Sequence, residues 1–138
     1  MSQFVVDASV AAAWCFEDEQ TEPMLSLLER LRAGDRALVP ALWSFEIANI
    51  VWAARRRGRV TADKAAKCLD LLRVLPIEVE FEPPARVFDS VSSLAIRYDI
   101  TVYDASYLDL AIRDNLPLAT LDHDLARAAQ KAGVAGAL

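Results

Sequence analysis

The sequence predicts an α/β domain built around a short parallel sheet. Short apolar runs alternate with helix-like stretches along the whole chain, which is the order typical of βαβ units. The first of these runs, Phe4–Val6, ends abruptly on Asp7, and a late one ends close to Asp122. Because ligands bind at the carboxyl ends of strands in open α/β sheets, these two acids connect the fold class to function.

Four apolar runs are predicted to be strands, and a weak fifth strand is expected near Val134. The four are Phe4–Val6, Ala37–Val39, Ile77–Glu80 and Leu118–Thr120. The stretches between them place apolar residues at helical spacing. Helices are expected at 24–31, 40–57, 61–75, 103–113 and 123–131, and a further helix with Val87, Val91, Leu94 and Tyr98 in register is expected after Pro83-Pro84. Pro40 is placed in the first turn of its helix, and Gly58 is placed at the stop of the same helix.

Composition indicates one domain, residues 1–138, with a substantial core, because 54% of the residues are apolar. No apolar stretch approaches the roughly 20 residues of a membrane helix, and the N-terminus lacks the pattern of a signal peptide. Cys15 and Cys68 lie among apolar residues at helix-like positions. We therefore expect reduced cysteines in the core of a cytoplasmic protein that has no membrane contact.

The net charge of −5 argues against binding of nucleic acid by bulk electrostatics. It leaves open an enzyme that approaches phosphate through a bound cation, because the ion reverses the local charge. The acidic balance also favours a basic partner.

Asp7 follows the first predicted strand and precedes a helix, with Ser9 two residues later. N-capping accounts for a single aspartate at such a place, and Ser9 is a candidate second donor or ligand. Glu46 lies in a helix that is apolar nearly all round, so we expect it to be largely buried together with Asn49. An ion pair with an arginine is the alternative to a functional role for Glu46.

Asp104 and Asp122 both lie at predicted helix starts. Thr101 and Asp104 have the spacing of a capping box, so capping alone accounts for Asp104. Asp122 is the acid nearest the end of its strand, whereas Asp124 fits a first-turn acid favoured by the helix dipole. Four carboxylates at one point would repel each other unless a cation lay between them. The four acids thus predict a metal-dependent site.

The single histidine, His123, is placed at a helix start, so a catalytic triad is not favoured. A basic run formed by Arg55, Arg56, Arg57 and Arg59 is suited either to RNA phosphates or to a solvated helix end. The tyrosine pair Tyr103 and Tyr107, four residues apart, is typical of packing.

Two other acidic, Mg²⁺-binding folds fit less well. A response-regulator receiver needs an aspartate after a middle strand, and the strand Ile77–Glu80 has none there. A haloacid-dehalogenase phosphatase needs Asp-x-Asp after its first strand, where this chain has Asp7-Ala8-Ser9.

Four segments together resemble the PIN-domain family, in particular the VapC-type toxins of toxin–antitoxin pairs. They are Asp7-Ala-Ser9, Glu46-Ile-Ala-Asn49, Tyr103-Asp104-Ala-Ser-Tyr107 and Thr120-Leu-Asp122. The resemblance covers essentially the whole chain. It implies a twisted parallel sheet of four to five strands with helices on both faces.

The resemblance also implies an endoribonuclease whose acidic quartet is Asp7, Glu46, Asp104 and Asp122. Asp7, Asp104 and Asp122 would hold Mg²⁺, for which Mn²⁺ can substitute, with Ser9, Asn49 and Thr120 as accompanying polar residues. Metal-activated water would cut RNA to leave a 5′-phosphate and a 3′-hydroxyl.

A cognate antitoxin and a homodimer follow from the same resemblance. Trp43 and Trp52 are candidate interface residues, although core packing accounts for them equally well. A PIN-like scaffold that binds RNA or protein without cutting is the alternative function.

Overall fold

The computed structural model describes all 138 residues and contains one four-stranded parallel sheet in the order β3-β2-β1-β4. Each predicted strand is confirmed to within two residues at either end. The strands are β1 (Gln3–Val6), β2 (Arg36–Pro40), β3 (Ile77–Glu80) and β4 (Leu118–Ala119). The fifth strand expected near Val134 is present only as a single parallel bridge between Leu118 and Gly136.

Eight α-helices surround this sheet. They are α1 (Ala8–Ala13), α2 (Glu22–Arg32), α3 (Leu42–Arg56), α4 (Ala62–Val74), α5 (Pro84–Arg86), α6 (Ser92–Tyr98), α7 (Val102–Asp114) and α8 (His123–Lys131). A 3₁₀ turn at Glu17–Glu19 precedes α2, and a π-helical segment at Val87–Val91 joins α5 to α6. None of these helices has the length and apolarity needed to cross a membrane.

The strand order places a topological switch point between β1 and β4. The chain steps outward from β1 to β2 and then to β3, and it crosses back over the sheet to β4. Since parallel crossovers are right-handed, α1–α4 cover one face and α5–α7 cover the other. The carboxyl ends of β1 and β4 therefore border the crevice where ligands bind in open α/β sheets.

The core lies on both faces of the two central strands. Phe4, Val5 and Val6 of β1 are fully buried, as are the central residues of β2. Helix α7 contributes Leu108 and Leu110, neither of which has solvent exposure. Burial on both faces explains why these strands are continuous apolar runs without alternation.

Helix α3 differs from the expectation that it is buried nearly all round. Only one stripe is buried, formed by Trp43, Ile47, Val51 and Ala54. Phe45 is 79% exposed and Trp52 is 54% exposed, although both are large and apolar. The sequence pattern cannot distinguish a core residue from an apolar residue on the surface, and this helix carries both.

The two ends of α3 were predicted with different success. Pro40 does not lie in the first helical turn but ends β2, where it pairs in register with Glu80. Proline is tolerated there because the strand stops at this residue. Gly58 does end the helix, with a φ of +73° that favours glycine.

The prediction of reduced cysteines is wrong, because Cys15 and Cys68 form a disulfide with a Cα–Cα distance of 5.3 Å. Cys15 follows α1 and Cys68 lies on α4, so the bond joins the start of the chain to the fourth helix. Their separation of 53 residues concealed this approach in the sequence. A cavity of about 530 Å³ adjoins the disulfide, and none of the four predicted acids lines it.

Candidate active site

Asp7 lies at the carboxyl end of β1, where its amide donates to the Ala119 carbonyl at 3.0 Å and extends the pairing with β4. Its side chain caps α1 by accepting from the amides of Ser9 and Val10 at 3.1 and 3.3 Å. The predicted capping role is therefore confirmed. Only 5% of Asp7 is exposed, so a nearly buried carboxylate lies at the switch point of the sheet.

Two hydroxyl groups complete the shell around Asp7. Ser9 Oγ donates to Oδ1 at 2.5 Å, and Thr120 Oγ1 donates to Oδ2. These neutral donors lower the pKa of Asp7, but the larger effect is burial, which raises it. Asp7 thus has well-satisfied oxygen atoms and no cationic partner within the chain.

Asp122 follows β4 and starts α8. Its Oδ1 accepts from the Leu125 amide at 2.9 Å, and its own amide donates to Thr120 Oγ1 at 3.0 Å. Thr120 therefore bonds both acids, since the same hydroxyl donates to Asp7. This bridge couples the end of β1 to the end of β4, and Asp122 remains exposed to solvent.

Asp104 lies in the first turn of α7. The Thr101 hydroxyl caps this helix by accepting from the Asp104 amide at 3.1 Å. The Asp104 carboxylate makes no hydrogen bond and no ion pair, so it does not return the bond that a capping box requires. Capping alone does not account for Asp104.

Glu46 is half-buried on α3 and is held by a residue of α7. Tyr107 donates its hydroxyl to Glu46 Oε1 at 2.5 Å. The pKa of Tyr107 is raised, first by burial and then by this bond, so the phenol stays protonated. Burial raises the pKa of Glu46 as well, and the charge of Asp7 adds to that rise.

The other acids act electrostatically on Asp104. The pKa of Asp104 is raised to about 6, mainly by burial and then by the charges of Asp122, Asp7, Glu46 and Asp124. No lysine, arginine or histidine forms an ion pair with any member of the quartet, which is Asp7, Glu46, Asp104 and Asp122. Like charges without a counter-ion raise carboxyl pKa values and favour a bound cation.

The donor set fits a hard divalent cation. The oxygen atoms available at this edge belong to carboxylates and hydroxyls, and oxygen atoms are the ligands that Mg²⁺ takes. No three histidine, cysteine, aspartate or glutamate side chains come together closely enough to hold a metal ion by themselves. Mg²⁺ does not require such a cage, because it keeps several waters and is commonly held by one or two carboxylates and a substrate phosphate.

Several predicted residues lie outside this cluster. Asn49 is exposed rather than turned inward beside Glu46. Arg59 is engaged with Asp18 and Glu19 at 3.0 Å, whereas Arg55, Arg56 and Arg57 form no ion pair.

Two further polar residues near α8 are exposed. His123 is at the start of α8, as expected. Asp124 pairs with Arg127 at 3.6 Å.

Tyr107 is the residue that the sequence analysis underrated. Packing was predicted and is confirmed, since only 1% of it is exposed, but its hydroxyl also fixes Glu46. The available signal was its position three residues after Asp104, which places both side chains on one face of α7. Tyr103, for which packing was also expected, is 62% exposed instead.

Comparison with known proteins identifies relatives of the whole chain. A family model described as the PIN domain matches residues 4–131. Ribonuclease VapC3 of Pyrobaculum aerophilum is 34% identical over 127 residues, which are 90% of this chain and 92% of that relative. Ribonuclease VapC9 of Mycobacterium tuberculosis is 33% identical over 118 residues, covering 86% of this chain and 84% of the relative.

A solved structure gives the same result. The crystal structure of PAE2754 from Pyrobaculum aerophilum matches with a TM-score of 0.66 at 25% identity. The match covers 92% of this chain and 84% of that chain.

Proposed function

This chain belongs to the PIN-domain family, and on that premise we propose that it is the endoribonuclease toxin of a toxin–antitoxin pair. The observation that carries the proposal is that Thr120 joins Asp7 to Asp122 at the switch point of the sheet, while Tyr107 of α7 holds Glu46, and none of the four acids is paired with a cation of the chain. Relatives that share about a third of its residues are named ribonucleases, which supports RNA as the substrate.

We assign Asp7, Asp104 and Asp122 as the residues that hold Mg²⁺ or Mn²⁺. Such an ion, when bound, supplies an acidified water and neutralises charge on the phosphoryl oxygens. Asp7 suits this role because Ser9 and Thr120 fix both of its carboxylate oxygens. Asp104 suits it because its carboxylate has no other partner.

The remaining residues position the attacking water and the strand. Tyr107 holds one oxygen of Glu46, so the other oxygen is free to orient a water molecule. Attack on phosphorus in line with the leaving 3′-oxygen yields a 5′-phosphate and a 3′-hydroxyl. The unpaired Arg55, Arg56 and Arg57 are the proposed contacts for RNA phosphates. An RNA substrate assigns the proposed activity to the cytoplasm.

Cleavage of total cellular RNA by the wild type and by Asp104→Asn tests this function. The wild type should cut in Mg²⁺ or Mn²⁺ and not in EDTA, and sequenced ends should carry 5′-phosphates. Asp104→Asn keeps the side-chain volume and removes the charge, so we expect at least a hundredfold slower cleavage, on the scale of lost electrostatic stabilisation. Asp89→Asn, at an exposed position outside the site, is the matched control.

Equal cleavage by the wild type and Asp104→Asn would contradict the assignment. A wild type that binds RNA and cuts none under any of these conditions would instead establish the non-catalytic scaffold.

We also propose two protein partners. An antitoxin peptide carrying a basic side chain would complement the unpaired acids, since complementary charge favours both association and specificity. A second copy of the chain is the other partner. Trp43 is buried in the core and is not available for that contact. The exposed apolar residues Phe88 and Ile96 supply a surface for it, so light scattering should show a dimer that Ile96→Arg dissociates.

A further inference from the structure

We propose that an exposed row of side chains on α3 binds single-stranded RNA. This binding track would direct the strand toward the acids. The α3 stripe is formed by Phe45, Asn49, Trp52 and Arg56, which recur at intervals of four, three and four residues. All four residues are exposed, and they lie on one face of the helix. The inference rests on the proposed function, since it names how the substrate of that site is held.

The stripe connects the two parts of the molecule that phosphodiester cleavage needs. It begins in the turn of α3 that carries Glu46, since Phe45 is one residue before that acid in the sequence. It ends at Arg55–Arg57, where three consecutive arginines lack any ion pair in a chain of net charge −5. The distance from Glu46 to Arg56 is about 15 Å at 1.5 Å per residue. A strand of a few nucleotides spans this distance.

The chemistry of the stripe matches unpaired bases. Aromatic rings stack on bases of any sequence, amides bond to base edges, and arginine binds phosphate. The Arg56 guanidinium already lies over the Trp52 ring, 5.3 Å from its centroid. It covers one face of the indole, and the other face is left for a base. Neither packing into the core nor the docking of an aliphatic surface requires an aromatic ring, an amide and a guanidinium group together.

The burial pattern gives an independent reason. Trp43, Ile47, Val51 and Ala54 already pack α3 onto the body of the protein, so Phe45 and Trp52 are not needed to hold the helix. Two exposed aromatic residues on the same face of one helix form a patch, and apolar patches of this kind mark binding surfaces more often than single exposed residues do. The arginines without ion pairs at the end of the stripe favour RNA over a purely apolar partner.

Tryptophan fluorescence provides the test. Trp52 is the only exposed tryptophan, since Trp14 and Trp43 are 3% and 7% exposed. Stacking of a base on Trp52 quenches its emission, while the two buried residues give a constant background. The titrant is a short single-stranded RNA of mixed sequence. The protein carries Asp104→Asn, so that bound RNA stays intact.

We expect quenching by the single strand and none by the duplex of the same sequence, whose bases are not available for stacking. In the Asp104→Asn background, Trp52→Leu should weaken binding about tenfold, and Trp52→Phe should retain most of it. Arg56→Gln should lower the slope of log affinity against log salt by about 0.7. Phe81→Leu, which alters a ring that is 79% exposed elsewhere on the surface, should bind RNA like the parent protein.

Unchanged RNA affinity in Trp52→Leu would overturn the inference. A change from dimer to monomer in Trp52→Leu, without loss of RNA binding, would overturn it as well and assign the stripe to a second copy. Loss of antitoxin-peptide binding alone would assign the stripe to that partner and overturn it too.

The same data separate this inference from the proposed function. If RNA quenches Trp52 but the wild type never cuts it, the nuclease activity is contradicted and the RNA contact on α3 is retained. If Trp52→Leu binds RNA with wild-type affinity and cuts it normally, the RNA contact is contradicted and the nuclease activity is retained.

Discussion

Two carboxylates in this molecule are almost equally buried and yet differently surrounded. Asp109 on α7 is 4% exposed, and Asp7 after β1 is 5% exposed. Arg86 donates two hydrogen bonds to the Asp109 carboxylate, from Nε at 2.8 Å and from Nη2 at 3.0 Å. Asp7 accepts hydrogen bonds only from neutral groups, which are two hydroxyls and two amides.

The difference separates a buried carboxylate that the chain neutralises itself from one that it leaves without a cation. A buried carboxylate is costly unless it is paired, and the chain provides its own cation for Asp109. For Asp7 the chain provides amide and hydroxyl donors but no cation, and three further acids belong to the same edge of the sheet. Burial alone therefore does not distinguish the two acids, whereas the absence of an internal counter-ion does, and it is the reason for proposing Asp7 as a metal ligand.

The largest expected effect on stability comes from breaking the internal pair. Asp109→Asn leaves Arg86 with no charged partner, and the Arg86 side chain is only 31% exposed. We expect the free energy of unfolding, measured by urea denaturation, to fall by about 3 kcal/mol. The exposed-site variant Asp89→Asn should stay within about 0.5 kcal/mol of the wild type. A similarly small change in Asp109→Asn would mean that the two buried acids do not differ as described.

The second test concerns the acid that lacks an internal cation. Mn²⁺ at a hundred times its dissociation constant should raise the free energy of unfolding of the wild type by about 2.7 kcal/mol, through mass action. Asp7→Asn should lose this response while its metal-free stability changes by no more than about 1 kcal/mol, since an amide oxygen still caps α1. Thermal melts with and without Mn²⁺ measure both quantities. A full Mn²⁺ response in Asp7→Asn would remove Asp7 from the metal site.

A smaller effect follows from the raised pKa of Asp104. Its pKa is about 6 in the folded protein against an ordinary 3.8, so the folded state binds the proton more tightly than the unfolded state does. The metal-free protein should therefore gain stability as the pH falls from about 6 to about 4.

We expect this gain to be about 1 kcal/mol larger in the wild type than in Asp104→Asn, after allowance for solvent screening. Urea denaturation at several pH values measures it. Parallel pH profiles for the two proteins would contradict the crowding of acids at this edge.

The smallest effect has the opposite sign and belongs to a paired surface acid. Asp35 accepts from the Ser2 amide and from Arg30, which lower its pKa to about 2. Its contribution to stability is complete above about pH 4 and is lost as the pH falls through 2. Asp35→Asn should abolish this acid limb of the pH profile without changing the limb near pH 6. Amide hydrogen exchange at Ser2 offers a local measurement of the same bond.

The sheet was predictable because its signals are local. Short runs such as Phe4–Val6 are apolar at every position, which is the pattern of a strand covered on both sides, and their short length favours a strand over a helix. The fifth strand expected near Val134 was only weakly indicated, because a segment that forms a single bridge to Leu118 leaves little apolar pattern in the sequence. The disulfide was not predictable, because no local pattern reports the approach of two cysteines that lie far apart in the chain.

The positions of the acids along the fold could be predicted from the sequence, but their hydrogen-bond partners and their exposure could not. Asp7 and Asp122 stand at strand ends that the sequence shows, and the strand order then brings those ends together. That the Asp104 carboxylate is left without a partner depends on side-chain packing, as does the bond from Tyr107 to Glu46. The exposure of Phe45 depends on which helix face meets the sheet.

The disulfide also changes how the chain is covalently connected. It closes a ring that contains all of α2, β2 and α3, so Glu46 and the α3 stripe lie within a loop of the chain. Exposed basic residues in that ring, the arginines at 55–57 among them, are sites at which trypsin can cut. A single cut there leaves one particle of unchanged mass under oxidising conditions, apart from the added water. Only reduction would release the two fragments, so an intact band on a non-reducing gel would not establish an intact backbone.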